Sequence, residues 1–143
     1  MQHRTTILIA ADRHFDWLSA HDTHLSHDRI RQLIALQAYL VAETEDGQIV
    51  GFLRFSRIWG TLPFMELIMV APPFRRQNIG SRLLQGWETM MRQTGEKVIV
   101  SSSVASERVP QAWHRAQGFT EAGTLALGSF QREREVFFLK ELR

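Results

Sequence analysis

Two side chains of this sequence are candidates for acid–base chemistry. Glu66 is the one acidic residue of the apolar stretch Pro63–Val70, and His114 lies in an amphipathic segment ahead of Gly118. A carboxylate in an apolar strand is costly unless it faces a cleft or a cationic partner, so Glu66 is a candidate general base. An imidazole titrates near neutral pH, which suits proton transfer. The alternatives are an ion pair between Glu66 and an arginine, and a histidine that only packs and forms hydrogen bonds.

A second pattern predicts a binding site for phosphate groups. An apolar strand ends at Val70, prolines and a basic turn follow, and an amphipathic helix begins at Ile79. The free N–H groups and the positive dipole end of a helix start bind phosphate oxygens, and a glycine lets the ligand approach the backbone. The predicted binding residues are Arg75, Arg76, Gln77, Asn78, Ile79, Gly80 and Ser81. The alternative is an ordinary helix start with two solvated arginines.

Periodicity and turn residues predict the elements that position these groups. Seven strands are expected, at Thr5–Ala10, Tyr39–Thr44, Ile49–Trp59, Leu62–Val70, Lys97–Val104, Phe119–Leu127 and Glu135–Leu142. Helices are expected over Arg13–Ala20 with Asp12 as cap, from Ser26 or Asp28 onward, from Ile79 to about Gln93, and over Glu107–Gln117. The order β-α-α-β-β-β-α-β-α-β-β indicates an α/β fold with a mixed, mostly antiparallel sheet.

Two motifs resemble those of the GCN5-related N-acetyltransferase (GNAT) family. Val70-Ala71-Pro72 followed by Arg75-x-x-Asn78-x-Gly80 is similar to its pyrophosphate loop, with asparagine where the family usually has its first glycine. Ser106–Phe119 resembles its second motif, with His114 at the usual tyrosine and Glu107 at the usual asparagine. Pro63-Phe64-Met65-Glu66 is similar to a strand found in some relatives.

The resemblance implies an acyl-CoA N-acyltransferase fold in which Leu62–Val70 and Lys97–Val104 form a splayed parallel pair. Acetyl-CoA is then the cosubstrate, held by the loop, by Glu107 and by the backbone of Ile68, Met69 and Val70. The acetyl group would pass directly to a primary amine of a small molecule or peptide in a ternary complex, with Glu66 as base and His114 as acid. The alternative is a non-catalytic acyl-CoA-binding or regulatory module on the same fold.

The composition of the chain bears on the number of domains and on which kinds of site and partner are expected. The 143 residues suit one domain, 1–143, and the absence of cysteine excludes disulfides and thiolate catalysis and fits a cytoplasmic location. Basic and acidic residues are interspersed at a net charge of +2, which argues against nucleic acid, and no apolar run is long enough for a membrane. We expect no metal site, although His21, His24 and His27 have a suggestive spacing.

Two further expectations concern partners. The histidine-rich segment, with Asp22 and Asp28, is expected to contact the acceptor instead of a metal. Trp59, at the end of the third strand, is a candidate wall of the acceptor pocket or a core or interface residue. A homodimer formed through the final strands is a further expectation.

Overall fold

The computed structural model describes residues 4–143 and contains the predicted order of elements. The strands are β1 (Thr5–Ile9), β2 (Tyr39–Thr44), β3 (Ile49–Ile58), β4 (Leu62–Val70), β5 (Val98–Val104), β6 (Thr120–Leu125) and β7 (Glu135–Glu141). The helices are α1 (Phe15–His21), α2 (His27–Ala35), α3 (Ile79–Gln93) and α4 (Arg108–Ala116). Short 3₁₀ turns occupy Asp12–His14, Pro72–Phe74 and Gly128–Phe130.

The strands form a seven-stranded mixed sheet in the order β1-β2-β3-β4-β5-β7-β6. The pairs β1–β2, β2–β3, β5–β7 and β6–β7 are antiparallel, whereas β4 and β5 are parallel, with Phe64 opposite Val100 and Met65 opposite Ser101. This confirms the predicted α/β fold class and its parallel pair. No helix in residues 4–143 is long and apolar enough to cross a membrane.

The predicted boundaries differ from the observed ones mostly at element ends, where helices fray and strands lose partners. The first predicted helix is instead a 3₁₀ turn followed by α1, and Ala11 rather than Asp12 precedes the turn. Of the two predicted starts for α2, Ser26 is correct, because its hydroxyl accepts the N–H of Arg29 at 3.2 Å. Gly95 follows α3 with φ of 85°, as expected of a C-terminal glycine.

The chain forms two compact units, and the first comprises residues 1–55 and 67–87. Its core joins Leu18 of α1 and the apolar stripe of α2 to the buried residues of β2 and β3. Burial of such a stripe is the main driving force for packing a helix on a sheet. Gly51 lets the strands approach closely here, because a Cβ at this position would lie 2.8 Å from the carbonyl oxygen of Met69.

The second unit comprises residues 56–66 and 88–143. Its central element is the β5–β7 pair, whose register runs without interruption from Val98 opposite Glu141 to Val104 opposite Glu135. On one side, α4 packs its buried His114 against Phe138 of β7. The strand β6 lies beyond β7 and is exposed along its whole length.

Candidate active site

The predicted phosphate-binding loop is in the first unit and turns sharply before α3. Arg76 and Asn78 adopt positive φ, 65° and 61°, which turns the chain sharply into α3. Asparagine tolerates this conformation better than most residues, so it can replace the glycine of the family motif. Arg76 was not expected to share this conformation.

The start of α3 presents donors without acidic competition. The first helical hydrogen bond at this end runs from the Arg82 N–H to the carbonyl of Asn78 at 3.0 Å, so the N–H groups of Ile79 and Gly80 have no acceptor within the helix. The first turn contains no acidic residue, and Arg75 and Arg76 are exposed beside it. The residues present therefore fit a pyrophosphate group, through N–H donors, the helix dipole and two guanidinium groups.

The guanidinium of Arg75 is partly engaged with the strand that leads into this loop. Its Nε donates to the carbonyl oxygen of Val70 at 3.0 Å. Ile68, Met69 and Val70, the predicted backbone contacts, are half-buried residues at the end of β4. The three residues thus lie immediately before the loop, as the sequence motif requires.

His114, in the second unit, is enclosed by its neighbours. Its ring stacks on Phe138 with 4.8 Å between centroids, and the rings of Trp113 and Phe119 approach it edge-on. Nδ1 is 2.7 Å from the carbonyl oxygen of Pro110, and Nε2 is 2.7 Å from the hydroxyl of Ser101. Both ring nitrogens are therefore used within the protein.

These contacts define the proton positions on His114. A carbonyl oxygen only accepts, so Nδ1 carries a proton, and Nε2 of the neutral ring is an acceptor for the Ser101 hydroxyl, which also lies 3.4 Å from the carbonyl oxygen of Met65. Burial lowers the pKa of His114, and the hydrogen bond to Pro110 opposes this shift. The ring is thus held neutral with Nε2 as an acceptor. Ser101 is only 2 % exposed, so this serine–histidine pair is enclosed rather than presented to a thioester.

The opposite face of the β5–β7 pair carries a different set of side chains. Ser102 is opposite Phe137 and Val104 is opposite Glu135, and strand alternation places all four on the face away from His114. Phe64 extends this face to β4, because its ring stacks on Phe137 at 6.0 Å between centroids. We call this the Glu135 face.

Glu135 is held in place on this face by uncharged donors. Its Oε2 accepts the hydroxyl of Ser102 at 2.7 Å, and its Oε1 accepts the side-chain amide of Gln131 at 2.9 Å. Among residues 4–143 no ion pair to its half-buried carboxylate is found. No sequence pattern singles out Glu135, because only the β5–β7 register brings it beside Ser102.

The exposure of the Glu66 side chain differs from what the sequence predicts. It follows Phe64 by two residues in β4, so alternation places it on the Glu135 face, but its side chain is exposed. The argument that it is desolvated in an apolar strand is therefore wrong. The alternative of an ion pair between Glu66 and an arginine stays a prediction.

Glu107 is the residue that precedes α4. Its N–H donates to the carbonyl of Val104 at 3.0 Å, and its side chain is exposed and does not cap the helix. The structure thus places it in the turn between β5 and α4, in the second unit. Its predicted contact with the cosubstrate remains a prediction.

The histidine-rich segment runs from the end of α1 to the start of α2, and its histidine side chains do not converge on one point. His21 stacks on Trp17 at 3.8 Å, His24 is exposed, and His27 meets the edge of Phe15. No group of three potential metal ligands occurs in the described part of the chain. Asp22 is completely buried, accepting the hydroxyl of Tyr39 and the guanidinium of Arg54, so it is a structural residue rather than an exposed acceptor contact.

Trp59 was predicted to be the last residue of the third strand. It lies one residue beyond the observed β3, in the turn between β3 and β4. It is 88 % exposed and has φ of 56°, followed by Gly60 with φ of 74°. A core position for Trp59 is therefore excluded.

The chain belongs to the GNAT family of acetyltransferases. The family model described as "Acetyltransferase (GNAT) family" matches residues 7–119, which include both motifs and most of the sheet. The fold and the loop geometry agree with this assignment, and the chain is therefore an acetyltransferase.

The proteins that are similar to this chain include one sequence relative and two solved structures. An aminoglycoside N(6′)-acetyltransferase type 1 from Acinetobacter baumannii is 30 % identical over 136 residues, covering 88 % of this chain and 85 % of that protein. The solved structure of Ard1 from Thermoplasma volcanium superposes with a TM-score of 0.81 at 16 % identity, covering 97 % of this chain and 98 % of Ard1. The ribosomal-protein-S18-alanine N-acetyltransferase of Escherichia coli gives 0.78 at 18 %, with coverage of 97 % and 94 %. These two structures support the fold alone.

Proposed function

We propose that this acetyltransferase takes the acetyl group from acetyl-CoA and transfers it to a primary amine of a small cationic molecule, with aminoglycosides as the first candidates. The observation that carries this proposal is the 30 % identity to an aminoglycoside N(6′)-acetyltransferase over 88 % of the chain. The start of α3 supports acetyl-CoA as the donor, because its free N–H groups and two arginines suit a pyrophosphate.

The chain's own residues then have separate tasks. The loop from Arg75 to Ser81 binds the pyrophosphate, and the backbone of Ile68 to Val70 aligns the pantetheine arm. Glu66 and His114 are the base and acid indicated by the sequence. For His114, the neutral ring and its two internal hydrogen bonds favour the alternative role, in which it packs and orients Ser101.

We propose direct transfer in a ternary complex. The sequence contains no cysteine, and the hydroxyl of Ser101 is enclosed beneath α4. A nucleophile that forms an acyl-enzyme has to reach the thioester. The predicted homodimer and cytoplasmic location stay predictions from the sequence, as does the absence of a metal and of a nucleic-acid partner.

The test measures thiol release from acetyl-CoA with three amines: an aminoglycoside with a 6′-amino group, a peptide with an N-terminal alanine, and spermidine. Mass spectrometry of the products should show one added acetyl group on the aminoglycoside, and varying both substrates should give intersecting reciprocal plots. Faster acetylation of the peptide than of the aminoglycoside would identify peptides, instead of small cationic molecules, as the acceptor class. Thiol release with none of the amines would contradict the proposed reaction, and parallel plots would contradict direct transfer.

A further inference from the structure

We propose that Glu135, which the sequence does not single out, is the carboxylate that binds the reacting ammonium group of the acceptor and takes a proton from it. This inference rests on the proposed function, since it concerns the same transfer reaction. Three observations on the second unit support it: the position of Glu135 beside β5, the uncharged donors that hold its carboxylate, and the side chains that lie on the same face.

The position follows from the strand register. The parallel pairs of β4 and β5 are Phe64 with Val100 and Met65 with Ser101, and Ser102 is the next residue of β5. The carboxylate of Glu135 is 2.7 Å from the Ser102 hydroxyl. Glu135 therefore stands beside the residue of β5 that directly follows these parallel pairs.

The donors around Glu135 fix its orientation without neutralising it. Ser102 and Gln131 each donate one hydrogen bond, to different oxygens of the carboxylate, and neither carries a charge. A half-buried anion without a cation is unfavourable, and each carboxylate oxygen retains a lone pair for another donor. An ammonium group of the acceptor would supply both the missing positive charge and the missing donors.

The surrounding face suits an amine with an apolar frame. The stacked rings of Phe64 and Phe137 lie on the Glu135 face, and both are partly exposed. Glu66 belongs to the same face by strand alternation, whereas His114 is on the opposite face of the β5–β7 pair. Amine binding at Glu135 would thus take place on the face away from the aromatic packing around His114.

The proton transfer balances as follows. The acceptor ammonium gives one proton to Glu135, and the freed lone pair of nitrogen forms a bond to the acetyl carbon as the bond from carbon to sulfur breaks. The nitrogen loses its second proton, the CoA thiolate gains one proton, and Glu135 returns its proton to water. The net products are the amide, CoA thiol and one proton in solution.

The decisive experiment compares Glu135→Gln with the wild-type enzyme, using the aminoglycoside and saturating acetyl-CoA. We expect kcat to fall by roughly 100-fold, the usual scale for loss of a general base, with the Kd for acetyl-CoA unchanged by calorimetry. Glu135→Asp keeps the carboxylate and should recover part of the rate. Glu121→Gln, an exposed residue of β6, removes the same charge elsewhere in the unit and should match the wild type.

Several outcomes would overturn the inference while leaving the proposed function intact. One is a Glu135→Gln enzyme within threefold of the wild-type rate, and another is a large loss in Glu66→Gln alone, which would identify Glu66 as the base. Equal losses in Glu135→Gln and Glu135→Asp, together with a lower unfolding midpoint, would show a structural role. If the wild-type enzyme does not acetylate the aminoglycoside, the comparison is made with the amine that it acetylates fastest. A wild-type enzyme that acetylates no amine would contradict the proposed function and, with it, this inference.

Discussion

Glu135 of the second unit is held differently from two buried carboxylates of the first unit. In the first unit, buried Asp22 accepts the guanidinium of Arg54 and the hydroxyl of Tyr39, and Glu43 accepts both terminal nitrogens of Arg13, at 2.9 and 2.8 Å. In the second unit, the donors to Glu135 among residues 4–143 are Ser102 and Gln131. The first two carboxylates pair with arginines, and the third accepts hydrogen bonds from uncharged donors.

The difference separates carboxylates that are paired within the fold from the one that we propose as a ligand-binding group. Arg13 lowers the pKa of Glu43 through its hydrogen bonds, against the opposing effect of burial, so this carboxylate stays ionised. Burial, followed by the hydrogen bond to Asp22, raises the pKa of Tyr39, which keeps its hydroxyl as a donor. Both of these carboxylates pair with an arginine, whereas no ion pair to Glu135 is found among residues 4–143.

The largest expected effect is on stability. Asp22→Asn removes the charge that neutralises Arg54 in a buried pair, which should lower the free energy of unfolding by about 3–5 kcal/mol. Glu135→Gln should lower it by no more than about 1 kcal/mol, because only hydrogen bonds from neutral donors change. Urea unfolding of both variants measures the contrast, and equal losses would remove the distinction between the two carboxylates.

The second effect concerns binding in the first unit. Gly80→Asp adds bulk and negative charge at the start of α3, so the Kd for acetyl-CoA should rise by roughly 100-fold, which corresponds to about 2.7 kcal/mol. Gln85→Glu adds the same charge to an exposed site further along α3 and serves as the control. Calorimetric titration with acetyl-CoA measures both, and an unchanged affinity in Gly80→Asp would disprove the placement of the pyrophosphate.

The smallest effect concerns His114, which is enclosed in the second unit as Asp22 is in the first. Its pKa is lowered in the folded state from 6.5, so as pH falls below 6.5 the unfolded chain takes up a proton that the folded chain resists. The wild type should therefore lose stability in this range, by at most about 1.4 kcal/mol per pH unit from this residue.

His114→Phe should flatten this dependence below pH 6.5 relative to the wild type. The measurement is urea unfolding at a series of pH values. Curves of equal slope for His114→Phe and the wild type would show that His114 does not resist protonation in the folded protein.

The backbone conformation of the predicted phosphate loop could be anticipated from the sequence because it depends on neighbouring residues. A helix start, an asparagine that tolerates positive φ and a nearby glycine all lie within Arg75–Gly80, and the structure places Asn78 in that conformation. The exposure of Glu66 could not be predicted in this way, since it depends on which neighbours cover the strand. The full burial of Asp22 likewise depends on Tyr39 and Arg54, which are distant in sequence.

The sequence by itself determined the order of the elements, the family and the loop, because periodicity, turn residues and short motifs act over a few neighbouring residues. Only the tertiary structure decided which faces the candidate groups occupy. The β5–β7 register joins Ser102 to Glu135 across 33 positions of the chain and turns Ser101 and His114 to the other face. The physical reason is that strand alternation fixes a side chain's face only after the partner strand and its register are known.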